Sequence, residues 1–67
     1  MFHTAIPMFS RVQIDSSVLA DEPMGTVIGI ASKHVIFMYI VQLDIAILVD
    51  GEFHTGITVP GSLLKVI

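Results

Sequence analysis

Residues 45–59, with the sequence IAILVDGEFHTGITV, contain the strongest local signal in the chain, the dipeptide Asp50-Gly51 between two apolar runs. A two-residue hairpin turn of type I′ needs positive φ at both central positions, and Asp-Gly is among the pairs that tolerate this conformation. Residues 45–49 and 52–59 are therefore predicted to form an antiparallel hairpin. One face of its second strand is predicted to be dry and the other wet. The residues of the dry face are Phe53, Thr55, Ile57 and Val59.

The other strands are predicted from alternation and from the Gly, Pro and Asp residues that separate apolar runs. Ile and Val supply 18 residues and Leu and Ala only 9, and branching at Cβ favours a pleated strand over a helix. The chain is thus expected to be all-β and a single domain, with residues 1–9 as an N-terminal arm. The predicted strands are residues 11–15, 25–31, 35–43, 45–49, 52–59 and 64–67, with a long loop at 16–24, a turn at 32–34 and a 3-10 turn at 60–62.

The composition disfavours several classes of function. With three basic residues and a net charge of −3, the chain has no cationic surface to neutralise phosphates, so nucleic acid is not an expected partner. The absence of cysteine excludes a disulfide or zinc-cysteine scaffold and fits a cytoplasmic protein. The apolar run 35–49 is shorter than the roughly 20 residues of a membrane-spanning helix and contains Gln42 and Asp44, so no membrane segment is expected.

The chain is short for its apolar content of 54%. Conformational entropy of roughly 1.5 kcal/mol per residue opposes folding, and a chain of this size buries only about 60% of its unfolded surface. No disulfide is available to reinforce so small a core. Contacts between subunits are therefore the expected reinforcement, and the chain is expected to form a homodimer or a homotetramer.

The third predicted strand, residues 35–43, is apolar on both faces. The face expected to point to the core carries Val35, Phe37, Tyr39, Val41 and Leu43. The opposite, equally apolar face carries Ile36, Met38 and Ile40, with Ile28 and Ile30 on the preceding strand. A single small sheet has no second layer to cover these residues, so a second subunit is expected to do so, with a pocket between subunits rimmed by Phe37, Met38 and Tyr39. The alternative is that the arm, through Phe2, Ile6, Met8 and Phe9, folds back over this face.

The order of elements resembles that of the Src-homology-3-like barrel: a strand, a long loop, a Gly-x-Val-x-Gly strand, a hairpin, a Tyr-x-Val strand, a turn at Pro60 and a last strand. Within that class, residues 25–67 resemble the small plasmid-borne dihydrofolate reductases of resistance cassettes. The segment Gly25-Thr26-Val27-Ile28-Gly29 is similar to that family's Gly-Gln-Ile-Val-Gly, and Tyr39-Ile40-Val41 is similar to its Tyr-Ala-Val. The resemblance implies a five- to six-stranded barrel over residues 10–67 with a short 3-10 turn before the last strand, a symmetric oligomer and a mobile gene cassette.

The chain departs from that family at the residues that carry its activity. Residues 56–67 run beside the family's Val-Gln-Ile-Tyr-Pro segment and its closing Leu-Glu-Arg-Ile. In the family the Gln and Tyr of this segment line a central pore and bind folate and NADPH, whereas Ile57 and Val59 stand here. Neither side chain can hydrogen-bond a ligand, so no cofactor and no enzymatic activity are expected.

The remaining polar residues suggest one binding site. Asp15, Asp21 and Glu22 border the long loop, where a solvated loop accounts for them, and an acidic lip around a cationic ligand is the alternative. Asp44 and Asp50 are interpreted as the end of a strand and the start of a turn. The histidines His3, His34 and His54 are not at i, i+2 or i+4 spacing, so no metal site is expected.

The expected function is that of a non-enzymatic binding module that associates with itself. Its acidic loop, or the pocket between subunits, is expected to hold a small cationic or amphipathic ligand or a peptide. A nucleic-acid-binding barrel and a folate-reductase-like enzyme remain as alternatives. Binding to nucleic acid that survives moderate salt would favour the first alternative, and turnover with a nicotinamide cofactor would favour the second.

Overall fold

The structure, a computed structural model, describes residues 5–67, and this part of the chain is all-β, as the composition predicts. Its strands form a single antiparallel sheet. The elements are β1 (Arg11–Ile14), β2 (Met24–Ser32), β3 (Met38–Val49), β4 (Glu52–Pro60), a 3-10 turn (Gly61–Leu63) and β5 (Leu64–Val66). Over residues 5–67 there is no helix with the length and apolar character needed to cross a lipid bilayer.

The sheet has the strand order β4-β3-β2-β1-β5, so β4 and β5 are its two edges. The first strand pairs with the last, with Val12 opposite Val66. The predicted 3-10 turn before the last strand is confirmed, one residue later than expected, and it connects the two edge strands directly. Three residues of 3-10 helix advance the chain by only about 6 Å. The sheet must therefore curve until its edges approach each other at this turn.

The core lies on the concave side of this sheet. Tyr39 is the largest buried residue, and its hydroxyl accepts a hydrogen bond of 2.9 Å from the backbone N–H of Ile6. Phe37 is half-buried and stacks beside Tyr39, with the two ring centroids 6.1 Å apart. The inward positions predicted for the third strand are thus confirmed at Tyr39, Val41 and Leu43. The buried core consists of Val12, Ile14, Val27, Tyr39, Val41, Leu43 and Val59.

The prediction that the third strand starts at Val35 and follows a turn at 32–34 is wrong. Residues 33–37 form the connection between β2 and β3, and Val35 is 95% exposed within it. The prediction that Asp44 ends a strand is also wrong, because β3 continues without a break to Val49. Ion pairing of the carboxylate with Arg11, described below, explains how a strand accommodates this charged residue.

The hairpin between β3 and β4 has the predicted turn. Asp50 and Gly51 have φ angles of 51° and 81°, the positive values that a type I′ turn requires. The predicted dry face of the second strand is confirmed only toward its C-terminal end, where Val59 is buried and Ile57 is half-buried. Phe53, at the turn end, is 73% exposed. A strand of the length of β3 spans about 40 Å, so the turn end of the hairpin extends beyond the core.

Candidate binding groove

The largest concavity of the described chain lies between the β1–β2 loop and the second half of β3. It is a groove of about 640 Å³, a volume within the range of ligand pockets. Two of the three acidic loop residues singled out in the sequence, Asp21 and Glu22, lie in it. Its lining residues are Leu19, Ala20, Asp21, Glu22, Pro23, Met24, Asp44, Ile45, Ala46, Ile47 and Leu48.

The loop wall of the groove is held by backbone hydrogen bonds at both ends. The N–H of Ile14 donates to the carbonyl of Pro23 over 2.9 Å, and the N–H of Glu22 donates to the carbonyl of Leu19 over 3.0 Å. Leu19 packs against the core, whereas its neighbour Val18 is exposed. Glu22 has a φ of 49°, in the left-handed region, and its carbonyl accepts a hydrogen bond from Gln13 Nε2. The loop is therefore a series of tight turns anchored to β1.

The β3 wall of the groove is formed where β3 loses regular pairing. The β2–β3 ladder ends at Gly25 opposite Leu43. The β3–β4 ladder is interrupted between Gln42 and Ile47, so that residues 43–46 lie opposite the single residue Thr55. The segment 44–46 is exposed and has no registered partner in β2 or β4. This irregular segment carries the side chains that face the loop across the groove.

An ion pair across three strands fixes the start of that segment. Arg11 on β1 donates one hydrogen bond of 3.0 Å to Thr26 Oγ1 on β2 and pairs with both carboxylate oxygens of Asp44 on β3. These hydrogen bonds lower the pKa of the Asp44 carboxyl and raise the pKa of Arg11. Asp44 was missed as a site residue because its partner lies far away in the sequence. The sequence feature that could have identified Asp44 is its position as a single carboxylate inside an apolar run.

The charge that the groove offers to a ligand comes from Asp21 and Glu22. Neither side chain has an ion-pair partner within 4.0 Å among residues 5–67. Glu22 also borders a smaller cavity of about 120 Å³ that Lys65 and Asp15 help to line. Of these two carboxylates, only Asp21 is confined to the groove, whose other residues are mainly apolar apart from Asp44.

Asp15, the third predicted member of the acidic lip, does not line the groove. Its Oδ2 accepts a hydrogen bond of 2.9 Å from the backbone N–H of Ser17, and hydrogen bonds from Ser17 lower the pKa of its carboxyl. The carbonyl of Asp15 also accepts hydrogen bonds from the N–H groups of Val18 and Leu19. Asp15 thus shapes the loop as an Asx turn and lines the smaller cavity instead of the groove.

A second surface of interest is the outer face of β2 and β3. We use this name for Ile28, Met38 and Ile40, and Ile28 is 43% exposed. Ile36, which was predicted to share this face, is 53% exposed in the connection before β3 and lines a small cavity with Phe37 and Tyr39. Met38 and Ile40 are half-buried. Ile30 was predicted to share this face, but a bulge at Ile28 shifts the register, and Ile30 lies opposite the inward residue Tyr39.

The N-terminal arm lies partly outside the described residues, as do Phe2 and His3. In the described part, Ile6 packs against the core and lines a small cavity of about 70 Å³ with Phe37 and Tyr39. Met8 and Phe9 remain exposed. The backbone N–H of Phe9 donates to the carbonyl of Val27, which holds the arm along the side of β2 that pairs with β1. Among residues 5–67, no three His, Asp or Glu side chains are grouped to hold a metal ion.

The chain matches no model of a known protein family, and it matches no curated protein and no solved structure.

Proposed function

We propose that this protein is a non-enzymatic binding module and that its groove holds a cationic, amphipathic ligand. The groove itself is the observation that carries this proposal. It combines about 640 Å³ of space with apolar walls and two carboxylates, Asp21 and Glu22, that have no cationic partner within 4.0 Å among the described residues. An apolar pocket with a few polar groups of one charge favours a ligand with an apolar body and the opposite charge.

We also propose that the fold is a Src-homology-3-like barrel related to that of the plasmid-borne dihydrofolate reductases and encoded on a mobile element. The strand order β4-β3-β2-β1-β5, the long β1–β2 loop and the 3-10 turn before β5 support the barrel fold, and the relation to the reductases and the mobile element rests on the sequence resemblance alone. The proposal of a binding module rather than a reductase rests on the positions where that family holds its ligands. Val59 is buried in the core here, and Ile57 packs against the core.

Self-association is the second part of the proposal. The outer face of β2 and β3 is partly exposed, and large apolar residues are exposed elsewhere, for instance at Val66 and Ile67. Burial of such surface stabilises a chain too short to form a large core of its own. We propose a homodimer or homotetramer that buries the outer face. We also propose that it is located in the cytoplasm, because a chain without cysteine has no disulfide that a reducing environment could break.

The ligand preference is tested by titrating the protein with hexylamine and with hexanoate while recording amide NMR spectra. The two probes share an alkyl chain and differ in charge. We expect hexylamine to shift the amides of the groove and hexanoate to leave them unchanged, because the carboxylates attract only the ammonium group. Rising salt should weaken the binding of hexylamine.

Two variants test which carboxylates attract the ammonium group of hexylamine. Asp21→Asn combined with Glu22→Gln is expected to weaken hexylamine binding at least threefold. Asp15→Asn removes one charge from the same loop outside the groove, and its side-chain oxygen still accepts the hydrogen bond from Ser17. It should bind hexylamine like the wild type. Equal binding of hexanoate, or an equal loss in Asp15→Asn, would contradict the proposal.

A further inference from the structure

In the wall of the groove, one edge of β3 has no neighbouring strand paired with it. Within the described residues, the β2–β3 ladder stops at Leu43, and β3 continues for six more residues to Val49. Of these six residues, only Ile47, Leu48 and Val49 pair with residues of β4. The side of β3 that β2 would occupy therefore faces the groove with its backbone uncovered from Asp44 onward.

An uncovered strand edge is a specific chemical surface. Backbone N–H and C=O groups are strong hydrogen-bonding groups, and a strand edge displays them at a regular spacing that suits another extended chain. The opposite wall cannot supply that chain, because the loop there is folded into turns that use the N–H of Glu22 and the carbonyl of Leu19 for each other. The groove thus combines an open edge with space beside it.

We propose that an extended, basic segment of another protein binds in this groove as an additional strand along β3 from Asp44 to Leu48. This inference rests on the proposed function, and it names the chemistry of the ligand. The backbone of the segment pairs with β3, its basic side chains contact Asp21 and Glu22, and its apolar side chains cover Ile45. Addition of a strand to an open sheet edge is a common way for proteins to bind peptides.

Charge argues for a basic segment of another protein over a second copy of this chain. The chain has a net charge of −3, and one of its three basic residues, Arg11, is already paired with Asp44. Two copies joined along this edge would place two pairs of carboxylates from Asp21 and Glu22 near each other. A segment rich in lysine or arginine supplies the missing positive charge.

The apolar residues along the edge argue for a segment with alternating side chains. Ile45 is 79% exposed and Met24, across the groove, is 46% exposed. A strand places successive side chains on opposite faces. A peptide in which basic and β-branched residues alternate therefore directs one set to the carboxylates and the other to these apolar side chains.

The test uses the peptide acetyl-Lys-Val-Lys-Val-Lys-amide and two isomers with one N-methyl group each, at the first valine in one and at the central lysine in the other. Alternate residues of a strand direct their N–H groups to opposite edges, so each isomer loses a donor on one edge only. A peptide that is added to β3 as a strand pairs through only one of its own two edges. We expect one isomer to bind at least tenfold more weakly than the other, and hydrogen exchange of the amides of residues 44–48 to slow when the unmodified peptide binds.

The outcomes separate this inference from the proposed function. Equal affinity of the two isomers overturns strand addition, and so does unchanged exchange in residues 44–48. If hexylamine still binds in preference to hexanoate, the cationic preference of the groove stands alone. Failure of both the unmodified peptide and hexylamine to bind overturns both proposals. A glutamate peptide of the same pattern is the matched control and is expected not to bind.

Discussion

Arg11 and Asp44 show how a single pair of side chains sets the shape of the candidate site. They are 33 positions apart in the sequence, and their ion pair crosses from β1 over Thr26 on β2 to β3. Asp44 is the point at which β3 leaves β2, so the pair holds the start of the irregular segment in place. Both side chains are close to half exposed, so solvent screens their attraction.

Acid should weaken this pair in a predictable direction. Because hydrogen bonds from Arg11 lower the pKa of Asp44 in the folded protein, the stabilisation is present above the ordinary value of 3.8 and is lost as the pH falls through the lower folded value. We expect Asp44→Asn to lower Tm by a few degrees at neutral pH and to lose less Tm on acidification than the wild type. Thermal unfolding followed by circular dichroism from about pH 7 to about pH 2 measures both effects.

Asp50→Asn is the matched control for that experiment. It removes the same charge from the same hairpin, and asparagine tolerates the positive φ of the turn. Its Tm should follow the wild-type acid profile. Identical profiles for the Asp44 and Asp50 variants would show that the ion pair contributes nothing to stability.

At the scale of elements, the parts that were predicted are those with local causes. The Asp50-Gly51 turn follows from two positive φ angles, and the break after Pro60 follows from residues within the same turn. The length of β3 and the position of Asp44 in the groove were not predicted, because they depend on Arg11, a distant residue. The shift of Ile30 to the inner face depends on a bulge at Ile28 that alternation alone does not reveal.

The close approach of β2 to its neighbours gives a prediction for the sheet. Gly25 lies between Val12 on β1 and Leu43 on β3, and a Cβ there would lie 2.5 Å from the carbonyl oxygen of Gln42 and 2.7 Å from a Val41 methyl group. We expect Gly25→Ala to lower the free energy of unfolding by about 2–3 kcal/mol through overpacking. Urea denaturation measures this quantity.

Gly56→Ala is the comparison for that variant, since a Cβ at Gly56 would meet its nearest neighbour, the carbonyl oxygen of Val41, only at 3.8 Å. Its free energy of unfolding should stay within about 0.5 kcal/mol of the wild type. If both variants lose the same stability, the cost arises from removing a glycine from a strand and not from the contact between β2 and β3.

At the scale of the whole molecule, the outer face of β2 and β3 predicts how the protein associates. We expect Ile28→Lys and Ile40→Lys to reduce the native mass to that of a monomer, because an unpaired ammonium group is costly to bury. Light scattering across a dilution series, with circular dichroism as the check of folding, measures this. Ile28 is 43% exposed, so its variant keeps the test valid if Ile40→Lys unfolds.

Val35→Lys is the control for association, since Val35 is 95% exposed in the connection between β2 and β3. It should keep the wild-type mass. A wild-type protein that is monomeric at every concentration, or a folded Ile28→Lys variant with unchanged mass, would contradict self-association through this face.

The pairing of β1 with β5 also determines when the protein can finish folding during synthesis. The β3–β4 hairpin is local and forms within about 1–10 µs once its residues are free of the ribosome. Val12, in contrast, has to wait for Val66, its partner on one side, and the ribosome adds only about 5–20 residues per second. For seconds, therefore, every nascent chain carries an incomplete sheet in which one edge of β1 is unpaired. Chaperones that cover exposed strand edges can bind during that interval.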